Sequence, residues 1–566
     1  MSVPIQNSTL SKHIALSGSL IRWLVPLIII ALTLAAFSSV LQNEFVNWDD
    51  DMLITLNPRY RGLGWTQLRW MFTTLYMGHY RPLTWITLGF DYLMWGMDPR
   101  GYHLSSLLFH CANAVLFYFV ALRLLRVAMA DSTAADFSFY LGAGFAALVF
   151  SLHPLRVESV AWVTARKDVV SALFLLLACL CYLQAVAAEK ASGKRWMAAA
   201  IIVYAISLLG ADLGMTFPVI LLILDVYPLR RLRGGLRNWF ASESRQVWRE
   251  KAPFLLLALA AGIIAAVARY QSETIKTLTE HGIFSRLAQV LYGLTFYLNK
   301  TIAPIDLSPL HELPTCSSLW GWPLFVSGAG VLGVTVLLLR ARQKWPAGLA
   351  TWICYGVVLA PVLGIAQSSV QLVTDRYSYL GCLSWAVLVG AAITLSWKFW
   401  ARAHINRAVF VLVNGLAAVV LLWLGTLTWK QSQVWTNSET LWKYVLTISN
   451  ESALAHNNLG GALVVNGKVD EAISQFRGAV QLDPGFTIAH FNLGNALAKQ
   501  ERLDEAKDQY EEALRLDPGF AGAHYNLASV LAKQGKLEAA KDHFRQALEH
   551  ARKGPRPIAR GPAKRC

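Results

Sequence analysis

Three consecutive carboxylates, Asp49-Asp50-Asp51, follow the first long apolar run of the chain and precede Asn57-Pro58. At the height of lipid head groups, repulsion between them and partial desolvation raise a carboxyl pKa. A carboxylate tuned in this way serves as a general base or binds a divalent cation; a solvated acidic loop is the plainer alternative. Five cations can meet a phosphate beside such a base: Arg81, Arg166, Lys167, Lys300 and Arg376. For Arg376, a salt bridge with Asp375 or an interfacial anchor competes with that role. His79, His153 and Glu158 can orient a hydroxyl substrate or ligate a metal, whereas His103 and His110 read as polar members of a packed cluster.

The elements that must position these groups are membrane helices. Of 566 residues, 55% are hydrophobic and only 15% charged, and apolar runs recur from residue 23 to residue 428. A hydrocarbon layer of ~30 Å is crossed by ~20 apolar residues in a helix. Eleven spans are expected, at roughly 23–41, 104–122, 138–152, 168–187, 197–211, 214–228, 252–269, 321–339, 347–366, 376–397 and 408–428. The first reads as a signal anchor. With the N-terminus inside, the inner connections hold Arg123 and Arg126, then Lys190, Lys194 and Arg195, then the run from Arg230 to Lys251, and later Arg340, Arg342, Lys344, Lys398, Arg402 and Arg407. Ser285 to Thr301 is apolar but carries Asn299 and Lys300, and is expected to be re-entrant or interfacial. The acidic run, His79, Arg81, His153, Glu158, Arg166 and Lys167 then share the outer side with everything after residue 430. The Cys spacing suggests neither a zinc site nor a disulfide framework.

From Asn450 to His550 the chain repeats with a period of 34, the length of a tetratricopeptide repeat (TPR): Leu459, Leu493 and Leu527 recur, as do Ala472, Ala506 and Ala540. Asp483-Pro484 and Asp517-Pro518 close the first two units. Stacked helix pairs of this kind hold a peptide or protein in a concave surface. Asn458, Asn492 and Asn526 recur on the first helix of each unit, where their amides either bind an extended acceptor peptide or pack between helices. Three repeats are near the minimum for a continuous core, so docking on the membrane body is expected. The domains expected are 1–430 in the membrane, 431–550 as about three repeats, and 551–566 as a basic disordered tail.

The order of several short motifs resembles the transmembrane and TPR-repeat-containing O-mannosyltransferases and their bacterial relatives. These are Trp48-Asp49-Asp50 with Asn57-Pro58, Tyr80-Arg81-Pro82-Leu83-Thr84, Gly101-Tyr102-His103 with His110, His153-Pro154 with Glu158, and Arg166-Lys167-Asp168. Tyr297 to Lys300, Asp375-Arg376-Tyr377-Ser378-Tyr379 and Gln433-Val434-Trp435 extend the match. The resemblance implies an all-α fold: a polytopic membrane bundle of GT-C type followed by a TPR solenoid. It also implies a polyprenyl-phosphate sugar as donor and an acid pair in the first outer loop. Counting back from Asn57-Pro58 puts that pair on Asp49-Asp50, with Asp50 the first choice for the base and Asp49 close behind. Two positions depart from the pattern: Arg156 stands where relatives often have a second His, and Ala211-Asp212 where they tend to have Lys-Pro. The first puts a metal site built on His153 in doubt, and the second removes or relocates one phosphate contact.

The function expected is transfer of mannose or another hexose from a polyprenyl-phosphate to a hydroxyl of an extracytoplasmic protein held by the repeats. The setting is the inner membrane of a bacterium, with the repeats in the periplasm. The alternative is a non-catalytic scaffold whose repeats recruit envelope proteins; a lipid-sugar transporter is weaker, because no ionisable pair falls at mid-span. A net charge of +16 invites a nucleic-acid partner, but the cations cluster in one inner loop, where they set topology, and in the C-terminal tail.

Overall fold

A computed structural model describes residues 8–129, 136–232, 234–272, 282–312, 322–364 and 371–552. The basic tail beyond Arg552 and the segment 365–370 of the expected loop 367–375 lie outside the described residues. The described residues are all-α apart from one pairing of His311–Glu312 with Gln371–Val373.

Seven described helices are long and apolar enough to cross a membrane: Pro99–Ala128, Val163–Ala187, Lys190–Gly210, Ser242–Gln271, Leu324–Ala341, Leu383–Ala401 and Arg407–Val434. Phe137–Ser151 and Pro154–Ala161, bent by 56° at their junction, form an eighth if counted as one span. Ile21–Ala36 and Pro346–Val362 are shorter apolar helices, and Phe217–Val226, on the expected span 214–228, has 10 residues. Leu256, Leu259 and Ile263 on one helix and Leu412, Leu416 and Leu422 on another are each more than half exposed. Side chains of this size left uncovered on successive turns require hydrocarbon around them. The protein is a multi-pass membrane protein.

Small residues let the bundle close. A methyl group on Gly142 would run into the Gly390 carbonyl, so helices Asp136–Ser151 and Leu383–Ala401 meet backbone to backbone. Helix Ile283–Ile302 covers the expected re-entrant segment; it turns Gln289 and Tyr297 inward, onto the carbonyls of Leu372 and Thr374, at 3.0 Å each.

The loop between helices Ile21–Ala36 and Pro99–Ala128 is itself folded. Helix Pro82–Trp95 starts on a proline, which is free there because the first turn needs no N–H. Helix Pro99–Ala128 is capped by Asp98, whose side chain accepts from Arg100 N. Tyr60, Met71, Trp85 and Tyr102 form a separate small core beneath it.

The repeats run as helix pairs from Ala453–Val465 and Val469–Leu482 to Ala521–Lys533 and Leu537–Arg552. Ala472, Ala506 and Ala540 are buried where the helices cross. Asp483 and Asp517 accept from Gly485 N and Gly519 N at 3.1 and 3.0 Å, which fixes the Asp-Pro turns. The array docks on the membrane body, as its short length requires: Gln431 Nε2 donates to Leu307 O at 3.2 Å and Ser452 Oγ to Glu312 at 2.7 Å.

Candidate active site at the arm end of the bundle

Asp49 sits at φ +76°, half-buried. A non-glycine residue there costs on the order of 1–3 kcal/mol and persists only where its surroundings hold it. The holding group is Asp50, which is fully buried. One of its carboxyl oxygens accepts from Val46 N at 3.2 Å, and the other from Thr164 N and Thr164 Oγ1 at 3.0 and 2.7 Å. The two bonds to Thr164 pin the tip of the acidic loop to the turn after helix Val157–Ala161, and the bond from Val46 closes the loop on itself. Burial outweighs those bonds and pushes the Asp50 carboxyl up to about 7.

Beside this loop, a cleft with about 220 Å³ of open space runs between helices Lys190–Gly210 and Arg245–Gln271. Its walls are Leu208, Leu209, Leu257, Ile264 and several alanines, and its head is closed by His79, Tyr80, Arg81, Lys167 and Asp212. Arg81 is 4% exposed, lies 5.2 Å over the Trp85 ring, and has a buried Nε without a partner. Among the described residues, neither Arg81 nor Lys167 has a side-chain hydrogen bond or ion pair. Lys167 close by, together with burial, holds the His79 imidazole well below the usual histidine range, so His79 is neutral and can accept a hydrogen bond. Asp49 lies near enough to Arg81 to favour its charge.

The structure sorts the other expected residues. Arg376 donates to Glu158 through its backbone N, at 2.9 Å, and through its guanidinium, and it covers the Trp162 ring at 4.9 Å. Its partner is therefore Glu158 and not Asp375. Arg376 lies close enough to His79 to add to the lowering of its pKa, but neither Arg376 nor Glu158 lines the cleft. Three residues do not join the cluster. Arg166 is fully buried, with each guanidinium nitrogen bonded, to Asp91, Ser106 Oγ or the Tyr102 carbonyl, and it does not line the cleft. Lys300 donates to the carbonyls of Ile305 and Asp306, in the turn that follows its helix. His153 uses one ring nitrogen on Thr301 O, at 3.1 Å, and the other to cap the turn at Leu155 N, at 3.3 Å. His103 and His110 are buried on backbone carbonyls and the Tyr379 hydroxyl.

Arg156, in place of the expected histidine, is buried between Phe150 and Tyr379 and donates to Ser378 Oγ at 3.0 Å. Among the described residues no group of three or more His, Cys, Asp or Glu side chains is arranged to hold a metal ion.

Two groups escaped the sequence reading. Arg269 pairs with Asp212 at 2.6 Å and lies close enough to His79 to lower its pKa. The Asp212 departure thus brings a cation with it, supplied by the neighbouring helix. The signal was present: Arg269 ends a long apolar helix at the end opposite the basic loop 230–251, against the usual charge asymmetry. The other is Thr164, which no motif marks.

In the arm, Asn492 Nδ2 donates to Asn457 Oδ1 at 3.0 Å and Asn526 Nδ2 to Asn495 Oδ1 at 2.7 Å. Asn458 Oδ1 accepts from Asn457 at 3.1 Å. The packing alternative describes these bonds; the three side chains are half-buried along one face of the array.

Models of the tetratricopeptide repeat match residues 443–485, 494–535 and 521–553. The protein O-mannosyl-transferase Tmtc3 of Drosophila melanogaster is 24% identical over 471 residues, which cover 71% of this chain and 48% of that protein. The chain is similar over most of its length to protein O-mannosyl-transferases. A Caenorhabditis elegans protein of that name is 23% identical over 81% of this chain and 63% of its own length. Human TMTC3 is 23% identical over 72% of this chain and 45% of its own. The chain spans about half the length of these curated relatives. Among solved structures, a crystal structure of MamA is 22% identical and covers 29% of this chain and 88% of its own, with a TM-score of 0.20.

Proposed function

We propose that the protein is a membrane glycosyltransferase of GT-C type that moves mannose or another hexose from a polyprenyl-phosphate to a protein hydroxyl. One observation carries this reading: an apolar cleft between two membrane helices ends on two cations, the buried Arg81 and the half-buried Lys167, and among the described residues neither makes a hydrogen-bonded ion pair with a carboxylate. A buried charge without a partner is costly, and its retention fits an anionic ligand that supplies the partner. The cleft suits the lipid chain, and Arg81, Lys167 and Arg269 suit its phosphate.

Asp49 is the base in this reading, and Asp50 the group that presents it. The acceptor oxygen attacks the anomeric carbon as Asp49 takes its proton. The bond from that carbon to the phosphate oxygen breaks, and the polyprenyl-phosphate leaves on the cations. A single displacement inverts the anomeric centre. The repeats hold the acceptor, with the remaining amide hydrogens of Asn458, Asn492 and Asn526 available to its backbone. Glycan mass spectrometry of envelope proteins from cells with and without the gene tests the proposal: hexose on Ser or Thr disappears with the gene. Unchanged glycosylation, together with no transfer by the purified protein from a polyprenyl-phosphate hexose, would favour the scaffold.

In this reading the arm end faces the periplasm of a bacterial inner membrane and the N-terminus is cytoplasmic; the distribution of Lys and Arg supports that orientation. A reporter active only outside the cytoplasm should light up when fused after His550 and stay dark when inserted near Gly235. The reverse pattern would put the cleft head and the arm on the cytoplasmic side.

A further inference from the structure

The segment leading to Asp49 is gripped by the arm rather than by the membrane bundle alone. Glu44 N donates to Thr436 O at 2.8 Å, just ahead of helix Ser438–Ile448. Asn47 then makes three bonds to three places in the arm. Its backbone N donates to Ser438 Oγ at 2.9 Å, its Oδ1 accepts from Trp442 Nε1 at 2.6 Å, and its Nδ2 donates to Asn458 O at 2.9 Å. The next residue, Trp48, packs edge-on against Trp442 at 5.1 Å and stacks on Trp162 at 6.3 Å, the ring that Arg376 covers. Asp49 follows at φ +76°.

We infer that Asn47 is a positioning residue: through it the first arm helix and the first repeat set the backbone that presents Asp49. The inference rests on Asp49 as the base. It extends that reading by making the arm part of the reacting body, in addition to a holder of acceptors. The bond to Asn458 O matters most, because it links the repeat expected to bind the acceptor directly to the loop that takes its proton. A loop already strained at Asp49 relaxes when one of its anchors is cut, and the base then moves off the line of attack.

The test uses the full chain reconstituted in lipid, with a polyprenyl-phosphate hexose as donor and a Ser/Thr-containing protein as acceptor. Asn47→Ala should lower kcat about tenfold or more, while donor binding and the KM for donor stay as in the parent. Trp442→Phe keeps an aromatic side chain but removes the N–H together with part of the buried indole, so it should lower kcat in the same direction by a smaller factor. Both should also shift the pH at which the rate changes, because Val46, the residue before Asn47, donates to Asp50. A merely structural contact would lower the melting temperature and leave the pH profile of the folded fraction in place. If Asn47→Ala does not fold, Trp442→Phe decides. Parent-like kcat and pH profile in the folded variants, with Asp49→Asn inactive, overturn the role of Asn47 alone. Full activity of Asp49→Asn overturns the base assignment instead.

Discussion

Asp49→Asn is expected to reduce sugar transfer ~100- to 10,000-fold, the usual effect of removing a general base, with donor binding and membrane insertion retained. Asp50→Asn behaves differently. Its amide must turn an N–H toward Val46 N or toward Thr164, where only acceptors fit, so a buried donor loses its partner at a cost of roughly 1–3 kcal/mol. The acidic loop then loosens, and transfer falls with stability.

The pH profile separates the two aspartates further. The folded-state pKa of Asp50 is raised to about 7 from the 3.8 of a free aspartate. Its contribution to stability is therefore complete below pH ~4 and is lost as the pH rises through about 7. Transfer moves the opposite way: ionising Asp50 strengthens its grip on Val46 and Thr164, so the rate of the parent should rise through pH about 7. That step should vanish in Asp50→Asn. An Asp49→Asn variant that keeps transfer beside an inactive, well-folded Asp50→Asn would return the base to Asp50. Full activity of the double variant would leave the chain with the scaffold reading.

The second large effect belongs to the cations. Arg81→Gln and Lys167→Gln should each weaken binding of a polyprenyl-phosphate by roughly 2–5 kcal/mol, the range found when one member of a buried charge pair is removed. The empty protein should meanwhile lose little stability, because each charge removed is desolvated and makes no hydrogen-bonded ion pair among the described residues. Lost binding beside retained stability is the signature of a ligand site. Thermal unfolding and donor binding on the same preparations read both. Loss of stability with unchanged binding would show that the two cations serve the fold.

Much of this was legible along the chain. Composition required membrane helices, because 55% hydrophobic residues gathered in long runs cannot be hidden inside a soluble core. The period of 34 required stacked helix pairs, and the small residues Ala472, Ala506 and Ala540 marked where they cross. The acidic triplet and the motifs Tyr80-Arg81 and Arg166-Lys167 pointed to the region of the candidate site, since they gather carboxylates and cations away from the basic inner connections that set topology.

What the chain could not say is which member of each motif faces the cleft. Adjacent helical residues point about 100° apart, so Arg166 and Lys167 part company: one is locked onto Asp91 and the other stands at the cleft head. In the acidic triplet the division is made by Thr164, which lies 114 residues away and engages Asp50, leaving Asp49 in the left-handed turn. The docking of the arm onto Asn47 likewise joins residues separated by 391 to 411 positions. Local periodicity fixes elements and faces because it reports on burial within a few turns. Partners brought together across hundreds of residues are decided by packing, and only the tertiary structure contains them.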